Sequence, residues 1–503
     1  MEILSLAFVL VSIWLSLYSA NAFVISMIFL YDRFFRKSAN KTAAPMISDW
    51  PEVTVQLPVY NEPHVIRRLI DSIAQLDYPT DRLIIQVLDD SNDETIAIAA
   101  AGVEYWKARG IRIYHLRRGD RSEYKAGNLK FGMAKSTSPF IAIFDADFVA
   151  PRDWLKRTLV PFFAPDGDRV GMVQTRWLHH NESQSALTKA QALLLDGDFG
   201  VDKQVRSDTG LFFRFNGAGG VWRRRCIEEV GSWSGDVLSE DSDLSYRAQL
   251  AGWRFKYLMD VGVMAELPTT MSAFRTQQSR WASGSMQVFR KLFIPVITAK
   301  MSVWKKCQAL ITMTNFLIYP LILLMVLLSL PLALANNFEL VRIPMLGVGI
   351  ASLGAPLMFA LSEWNLYPGR PWWKRFAWFP FFTMLWMGIA VSLTQAVLIG
   401  LLNIRRRFHR TPKTGIESDG QKPAKVSHTY VKINFITLLE VVLCAYALLV
   451  VAIDIHFRNW MGAIIVGIYA IGFAWVALAT IWEGVSQLIR RMHKSESLTV
   501  KSD

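Results

Sequence analysis

The stretch Phe140-Ile141-Ala142-Ile143-Phe144-Asp145-Ala146-Asp147 is an apolar run that ends in two carboxylates. A second run of this kind, Leu83 to Leu88, is followed directly by Asp89 and Asp90. Continuous short apolar runs are typical of strands that are buried on both faces of a parallel sheet. Because open α/β sheets bind ligands at the carboxyl ends of such strands, both acidic pairs are predicted to face one crevice.

Around these two strands, residues 50 to about 270 alternate short apolar runs with helical patterns. The runs Val53 to Leu57 and Ile111 to His115 are predicted strands, whereas Glu94 to Arg109 and Lys125 to Ala134 have helical periodicity. This alternation is the βαβ signature of a mostly parallel sheet. We therefore predict a Rossmann-like α/β domain over this part of the chain.

Composition favours a membrane enzyme. Over 503 residues the mean hydropathy is +0.24, which is high for a wholly soluble protein. The net charge of +13 is compatible with nucleic acid, anionic lipid or an acidic substrate. Lysines and arginines crowd beside the apolar spans, which favours the membrane. The three cysteines lie far apart without CxxC spacing, which excludes a disulfide framework and a cysteine zinc site.

Several apolar segments are long enough to cross a bilayer. Residues 3–31 form the first, and basic residues after it are expected to hold that end in the cytoplasm. Ser19-Ala20-Asn21-Ala22 resembles a signal-peptidase site, but no basic residues precede the run and the run continues past the site, which argues against cleavage. Four further spans are predicted at residues 308–335, 341–362, 431–453 and 460–488.

Residues 376–402 are also apolar, but charge counting argues against a span there. If this segment crossed, the basic run Arg405 to Arg410 would lie outside, against the positive-inside rule. An amphipathic helix at the interface keeps that run and the basic C-terminus in the cytoplasm. The prediction is about five transmembrane helices, with the N-terminus outside.

The residue types of the acidic clusters suit a nucleotide and a metal. Asp145 and Asp147 can turn toward one ligand, and carboxylates are the ligands that Mg²⁺ or Mn²⁺ prefer. Asp89 and Asp90 add acceptors for a base or ribose. Lys125 in Lys125-Ala126-Gly127-Asn128 adds a cation suited to a diphosphate, although a solvated lysine at a helix start is the alternative.

Two later clusters have both a structural and a catalytic interpretation. Asp241 follows Glu240 at a predicted helix N-terminus, where it is either a helix cap or a general base that takes a proton from an acceptor hydroxyl. Trp281, in Gln277-Gln278-Ser279-Arg280-Trp281, is either an interface anchor or a face for a sugar ring. The nearby Arg280 is suited to neutralising a diphosphate leaving group.

Together these residues carry a specific resemblance. The motifs are Pro58-Val59-Tyr60-Asn61-Glu62, Asp89-Asp90, Lys125-Ala126-Gly127-Asn128, Asp145-Ala146-Asp147, Glu240-Asp241 and Gln277-x-x-Arg280-Trp281. The set resembles the family 2 processive glycosyltransferases, which include cellulose, mannan, curdlan and hyaluronan synthases. The likeness covers residues 50 to about 415 and is nearest to the plant cellulose-synthase-like glucomannan and xyloglucan-backbone branches. Phe408-His409-Arg410-Thr411-Pro412-Lys413 is similar to the family's FxVTxK gating loop, with Arg410 in place of valine.

The resemblance implies a GT-A fold and a role for each matching residue. It assigns nucleotide-sugar binding to Glu62, Asp89, Asp90, Lys125 and Asp145, and metal binding to Asp145 and Asp147. It assigns catalysis to Asp241 and Glu240, the diphosphate and acceptor to Gln277, Arg280 and Trp281, and gating to Phe408, Thr411 and Lys413. The implied cofactor is Mg²⁺ or Mn²⁺. Ser239 stands where the family usually has threonine, and Ser91 where cellulose synthases commonly have glycine.

On this basis the chain is predicted to divide into six parts. These are an N-terminal transmembrane helix (1–40), a cytosolic GT-A domain (41–275), an interface helix with the QxxRW motif (276–307), membrane and interface helices (308–402), a gating-loop-like segment (403–430) and C-terminal transmembrane helices with a short tail (431–503). The expected partners are a nucleotide-sugar donor, a glycan acceptor, the bilayer and a periplasmic export subunit, with no nucleic acid. The expected location is the cell inner membrane, with the catalytic domain in the cytoplasm.

The predicted function is an inverting hexosyltransferase that uses UDP-glucose or GDP-mannose to extend and export a β-glycan. One alternative is a non-processive transferase that glycosylates a lipid. Another is a transporter, which predicts intramembrane charges and inverted repeats; Glu363 and Glu440 lie near the ends of spans, and the sequence shows no internal repeat. A glycoside hydrolase also uses paired carboxylates but does not need the DxD pair. The motifs leave open the donor, the linkage and the choice between Mg²⁺ and Mn²⁺.

Overall fold

The fold is built on one mixed sheet. The computed structural model describes residues 2–35, 47–335, 352–404 and 435–499, together with Lys413 and Gly415. The seven strands are β1 (Val53–Val59), β2 (Leu83–Asp89), β3 (Arg112–Leu116), β4 (Phe140–Ile143), β5 (Val170–His179), β6 (Gly220–Arg223) and β7 (Arg254–Ala265). Their order in the sheet is β3-β2-β1-β4-β6-β5-β7. Strands β3, β2, β1 and β4 are parallel, and β6 runs antiparallel to both of its neighbours.

The four strands predicted from the sequence are confirmed. The alternation of their side chains between two hydrophobic cores explains why these strands are apolar throughout. In β4, Ile141 and Ile143 face one hydrophobic core, whereas Ala142 and the following Phe144 face the other. Side chains alternate between the two faces of a strand, so a strand with cores on both sides must be apolar throughout. The acidic residues begin where that double cover ends.

Helices of the catalytic domain cover both faces of the sheet. They are α2 (Ile66–Ala74), α3 (Thr95–Lys107), α4 (Tyr124–Met133), α5 (Trp154–Leu159), α6 (Ala186–Gly197), α7 (Lys203–Thr209), α8 (Arg224–Glu229) and α9 (Glu240–Leu250). The predicted helices in 94–109 and 125–134 correspond to α3 and α4. The Rossmann-like prediction is therefore confirmed.

The remaining helices form the membrane-associated region. They are α1 (Glu2–Phe34), α10 (Met271–Thr298), α11 (Val303–Met313), α12 (Ile318–Ala335), α13 (Gly354–Leu366), α14 (Trp372–Phe376), α15 (Phe379–Gly388), α16 (Ala390–Leu401), α17 (Phe435–His456) and α18 (Trp460–Thr499). Within the described ranges, four helical segments are long and apolar enough to cross a membrane: Glu2–Phe34, Asn315–Ala335, Phe435–His456 and Trp460–Ile489. They correspond to four of the five predicted spans. The predicted span 341–362 lies partly outside the described residues, and α13 covers its second half.

The segment predicted as one interfacial helix, 376–402, has a different form. It contains α15 and α16, and the helices on either side of the break at Ile389 are bent by 53°. Phe382, Leu385 and Val397 from these helices are buried in a core shared with α10 and α18. The pair is therefore a broken span or a re-entrant segment packed inside the bundle. The positive-inside rule considers only the charged residues that flank a segment, so it cannot reveal a bend within that segment.

The first membrane helix packs directly on the catalytic domain. Ile25 and Phe29 of α1 are buried against Val201, Val205 and Leu211. Fully burying a side chain of this size stabilises a protein by about 1.5–3 kcal/mol.

A chain of hydrogen bonds reinforces this contact. Gln308 of α11 donates to the Asn21 side chain of α1 and accepts from the guanidinium of Arg206 on α7. Residues Ser19 to Ala22, which resemble a peptidase site, thus lie inside a packed helix.

A second attachment centres on Arg375 of α14. Its guanidinium forms ion pairs with Glu182, with Asp196 at 2.8 Å and with Glu363 at 2.7 Å. Asp196 lies at the end of α6, and Glu363 lies on α13. The ion pairs therefore join the catalytic domain to two helices of the membrane-associated region.

Candidate active site

A cavity of about 780 Å³ lies between the carboxyl ends of the central strands and helix α10. Eleven of the residues singled out in the sequence line it: Glu62, Asp90, Lys125, Asp145, Asp147, Glu240, Asp241, Gln277, Arg280, Trp281 and Lys413. We call Asp90, Lys125, Asp145 and Asp147 the sheet wall, and Gln277, Arg280 and Trp281 the helix wall. Phe408 and Thr411 lie outside the described residues.

Asp89 does not line this cavity. Its side chain is 0% exposed, and one carboxylate oxygen accepts from the backbone N–H of Ser91 at 2.8 Å. The other oxygen is 2.8 Å from Nε2 of His115. Burial acts to raise the pKa of Asp89, but the hydrogen bonds from His115 and Ser91 outweigh it and lower the pKa. Asp89 therefore shapes the turn after β2, and Asp90 is the member of the pair that faces the cavity.

Asp90 is held by a bidentate ion pair. Nε and Nη2 of Arg118 lie 2.8 and 2.7 Å from its two carboxylate oxygens. The same guanidinium donates to the carbonyls of Ser122 and Tyr124 and so fixes the loop before α4. Sequence reasoning missed Arg118, although it follows β3, whose carboxyl end meets the same edge of the sheet.

The base of the sheet wall is an ion pair between Lys125 and Asp145. Lys125 Nζ lies 2.5 Å from Asp145 Oδ1 and donates to the carbonyl oxygen of Gly217 at 2.9 Å. Burial acts to lower the pKa of Lys125, but Asp145, Glu240 and Asp241 outweigh it and raise the pKa. A Cβ at Gly217, where φ is +87°, would lie 3.1 Å from Asp241 Oδ2. Glycine therefore lets this loop pass close to the carboxylate.

Asp147 forms an ion pair with Lys413. Lys413 Nζ is 2.8 Å from Asp147 Oδ2, which also accepts from the backbone N–H of Glu266 at 3.0 Å. Burial acts to raise the pKa of Asp147, but the Lys413 ammonium outweighs it and lowers the pKa. The backbone N–H of Gly415 donates to Glu266 Oε2 at 3.0 Å, so this part of the loop is held to the same strand end. The structure thus brings Lys413, predicted in the gating segment, into the sheet wall.

The donor set at Asp145 and Asp147 fits a divalent cation that is shared with a substrate. No cluster of three or more His, Cys, Asp and Glu side chains in the described ranges could hold a metal without other ligands. Mg²⁺ is typically bound by one or two carboxylates together with substrate phosphates and water. Both carboxylates face the cavity, and each already has an ammonium group beside it. The site is thus built to hold positive charge at both positions.

Glu240 and Asp241 lie at the first turn of α9, where the sheet wall and the helix wall meet. Asp241 Oδ1 accepts from the N–H of Ser242 at 2.7 Å, while Oδ2 faces Gly217. Burial raises the pKa of Asp241, and it raises that of Glu240 to about 7 with help from the Asp241 charge. A carboxylate whose pKa is raised toward neutrality is suited to accept a proton during a reaction.

The helix wall approaches this carboxylate pair closely. A Cβ at Gly284 of α10 would lie 2.1 Å from Ser239 Oγ, so only glycine permits this contact. Gln287 of α10 accepts from the N–H of Leu238 at 2.8 Å. Burial lowers the pKa of Arg280, while Asp145, Glu240 and Asp241 act to raise it. One cavity therefore contains an acid pair with raised pKa values, the half-buried cations Lys125 and Arg280, and the ring of Trp281.

Two further residues of the cavity were not predicted. The guanidinium of Arg121 lies 3.2 Å from the centroid of the Tyr60 ring. His179, at the end of β5, has both ring nitrogens shielded and without hydrogen-bond partners among the described residues, and burial lowers its pKa to about 4. The imidazole is therefore neutral at physiological pH. Arg121 is a single arginine in a loop and His179 is the last residue of a strand, so neither belongs to a sequence motif that would have identified it.

The chain is similar to known glycosyltransferases. A family profile described as "Glycosyltransferase like family 2" matches residues 51–284. Glucomannan 4-beta-mannosyltransferase 1 of Oryza sativa subsp. japonica is 36% identical over 374 residues, which cover 71% of this chain and 68% of that protein. Glucomannan 4-beta-mannosyltransferase 2 of Arabidopsis thaliana is 41% identical over 264 residues, which cover 52% of this chain and 49% of that protein. The chain thus spans about two thirds of the first relative and about half of the second.

A solved structure shares the fold. Mannosyltransferase PcManGT from Pyrobaculum calidifontis, in complex with GDP-Man and Mn²⁺, matches 79% of this chain and 100% of its own with a TM-score of 0.54. Its sequence is 20% identical, so the match supports the fold alone.

Proposed function

The chain belongs to glycosyltransferase family 2, and we propose that it transfers mannosyl units from GDP-mannose to the end of a growing β-mannan. The names of the rice and Arabidopsis relatives, both glucomannan 4-beta-mannosyltransferases, favour mannose over glucose as the transferred sugar. The observation that carries the reaction type is the contact of Lys125 with Asp145 beside Glu240, Asp241 and Arg280 in one cavity.

In this proposal Asp241 is the general base. It accepts the proton from an acceptor hydroxyl, and that oxygen attacks the anomeric carbon of the donor sugar. The bond from this carbon to the phosphate oxygen breaks, and the nucleoside diphosphate leaves with the electron pair. Attack from the face opposite the leaving group inverts the anomeric centre and forms a β-linkage. No covalent bond to the enzyme is needed.

The other residues bind and orient the reactants. Lys125 and Arg280 lie where they can neutralise the diphosphate, and the Trp281 ring offers an apolar face to the acceptor sugar. Asp145 and Asp147 are the residues that would hold Mn²⁺ or Mg²⁺, which when bound supplies charge that stabilises the leaving diphosphate. Asp90 and the Tyr60–Arg121 pair also line the cavity, and we assign the nucleoside to them.

We place the catalytic domain in the cytoplasm of a cell with the membrane helices in its inner membrane. The basic residues that flank the spans favour this orientation. The membrane helices that pack against α10 then provide a route for export, with a periplasmic subunit as the expected receiver of the product.

The test uses the full-length protein in nanodiscs with radiolabelled GDP-mannose or UDP-glucose and Mn²⁺. We expect alcohol-insoluble product from GDP-mannose that an endo-β-1,4-mannanase degrades. Product from UDP-glucose alone would instead identify a glucan synthase, and a product that extracts into organic solvent would identify a lipid acceptor. The variant Asp241→Asn is assayed in the same way. Its matched control is Asp236→Asn, which changes a carboxylate that also lines the cavity and pairs with Lys291.

A further inference from the structure

The first turn of helix α10 is fastened to the last membrane helix, α18. The backbone N–H groups of Met271 and Ser272 both donate to the carboxylate of Glu483, the second at 3.1 Å. The Thr270 hydroxyl accepts from the N–H of Ala273 at 3.3 Å. The first N–H groups of a helix have no partner within it, and a negative charge there also interacts favourably with the helix dipole. Glu483 therefore caps α10 from another element.

The second turn of α10 is fastened by a buried ion pair. Arg275 Nη2 lies 2.6 Å from Glu440 Oε1 on α17, and Nη1 donates to the Thr480 hydroxyl on α18 at 2.9 Å. The Glu440 side chain is 0% exposed and that of Arg275 is 10% exposed. The second oxygen of Glu440 has no hydrogen-bond partner among the described residues.

An ion pair satisfied in this incomplete way is poorly explained as a source of stability. Removing two charges from water costs roughly as much as their attraction returns, and apolar replacements of similar size are often as stable. What the pair does provide is direction, because a guanidinium held by two helices has few alternative positions.

Along α10, these anchors lie close to the residues that face the cavity. Arg275 precedes Gln277 by two residues and Arg280 by five, all within one continuous helix. Farther along, the Ser283 hydroxyl donates to the carbonyl of Ala396 at 2.8 Å, so α16 holds the next turns. The helix wall therefore takes its position from α16, α17 and α18.

We infer that Glu440 and Glu483 are positioning residues for the acceptor. They set the location of α10, and so the distance of Trp281 and Arg280 from Asp241, without touching a reactant. This inference rests on the proposed function, because it assigns the helix wall to the acceptor end of a glycan. It predicts that weakening either anchor impairs elongation and leaves the donor site intact.

The test compares three variants in nanodiscs: Glu440→Gln, Glu483→Gln and the paired replacement Arg275→Met with Glu440→Leu. The control is Asp454→Asn, which changes a buried carboxylate at the far end of α17 that pairs with Asn459. Each protein is assayed for melting temperature, donor KM, kcat of transfer and product length.

We expect the paired replacement to melt close to the wild type and to keep its donor KM within about twofold, but to lose about tenfold or more in kcat and to make shorter products. Glu483→Gln should likewise keep its donor KM and lose kcat, whereas Asp454→Asn should match the wild type in both. If the paired replacement proves unfolded, Glu440→Gln and Glu483→Gln still decide the matter, because both keep an oxygen acceptor.

Wild-type kcat and product length in folded variants would overturn the inference. If the wild-type protein itself transfers sugar from neither donor, the proposed function fails instead. The two failures are therefore distinguishable.

Discussion

The sheet wall and the helix wall face each other across one cavity, but different parts of the molecule hold them. Most of the sheet wall is fixed inside the catalytic domain, where Arg118 holds Asp90 and Gly217 holds Lys125, and only Asp147 among its residues pairs with a side chain from outside that domain, Lys413. The helix wall is fixed by membrane helices through Glu440 and Glu483. The difference teaches that binding of the donor and placement of the acceptor can be disturbed separately, with the Glu240–Asp241 pair where the two walls meet.

The largest effect is expected at that meeting point. Asp241→Asn should lower kcat by about 10²–10⁴-fold, the usual contribution of a general base, while nucleotide binding persists. Transfer assays with calorimetric titration of GDP would measure both quantities. Asp236→Asn serves as the control, and an Asp241→Asn protein that kept most of its activity would remove the base assignment.

The next effect tests the contact between the walls. In Gly284→Ala the new Cβ would collide with Ser239, including its backbone nitrogen at 3.1 Å, so the loop before Glu240 must shift. A displacement of about 1 Å in a catalytic group can cost about 10²-fold in rate, whereas donor KM should hardly change. Gly467→Ala is the control, because a Cβ there meets nothing within 4 Å. Equal kcat values for the two variants would contradict this account of Gly284.

Within the sheet wall alone, Arg118→Gln should raise donor KM by about 10–100-fold. The substitution breaks a bidentate charge-assisted hydrogen bond and releases the loop that it holds. Initial rates over a range of donor concentrations would separate KM from kcat. Arg109→Gln removes an exposed arginine that lies over Tyr105 and should match the wild type. A loss confined to kcat would place Arg118 in catalysis and not in donor binding.

The smallest effect concerns pH. A base whose pKa is raised is protonated, and so inactive, over a wider acidic range, and therefore kcat should rise with pH. Because burial raises the pKa of Asp241, the proposed base, we expect kcat to rise with pH on the acidic side, and the neighbouring Glu240, with a pKa raised to about 7, to titrate together with it. Glu240→Gln removes the neighbouring carboxylate and should move this limb to lower pH. An identical profile in Glu240→Gln would show that Glu240 does not affect the titration of the base.

The two walls also differ in how much of them the sequence could predict. Strands β1 to β4 follow from apolar runs such as Phe140 to Phe144, because burial on both faces leaves little freedom in residue choice. A run that is apolar throughout does not show which side chains point to which face of the sheet. The sequence therefore could not distinguish the buried Asp89 from Asp90, which faces the cavity. Arg118 follows a recognisable strand and was open to prediction from its position.

In the helix wall, the QxxRW motif identified Gln277, Arg280 and Trp281, but not what holds them. Glu440 and Glu483 lie about 160 and 200 residues from this motif in the chain. Their pairing with α10 depends on how the membrane helices pack, and no local pattern encodes that packing. The bend at Ile389 was missed for the same reason.

The packing of α1 on the catalytic domain has a practical consequence for protein engineering. A catalytic fragment beginning after residue 46 would lose Ile25 and Phe29 and would leave Val201, Val205 and Leu211 exposed to water. It would also leave Gln308 and Arg206 without the amide of Asn21 that ends their hydrogen-bond chain. Such a fragment should aggregate. Soluble versions of this enzyme need polar replacements at Val201, Val205 and Leu211, and crystallographic or antibody work should retain the first helix in a lipid mimic.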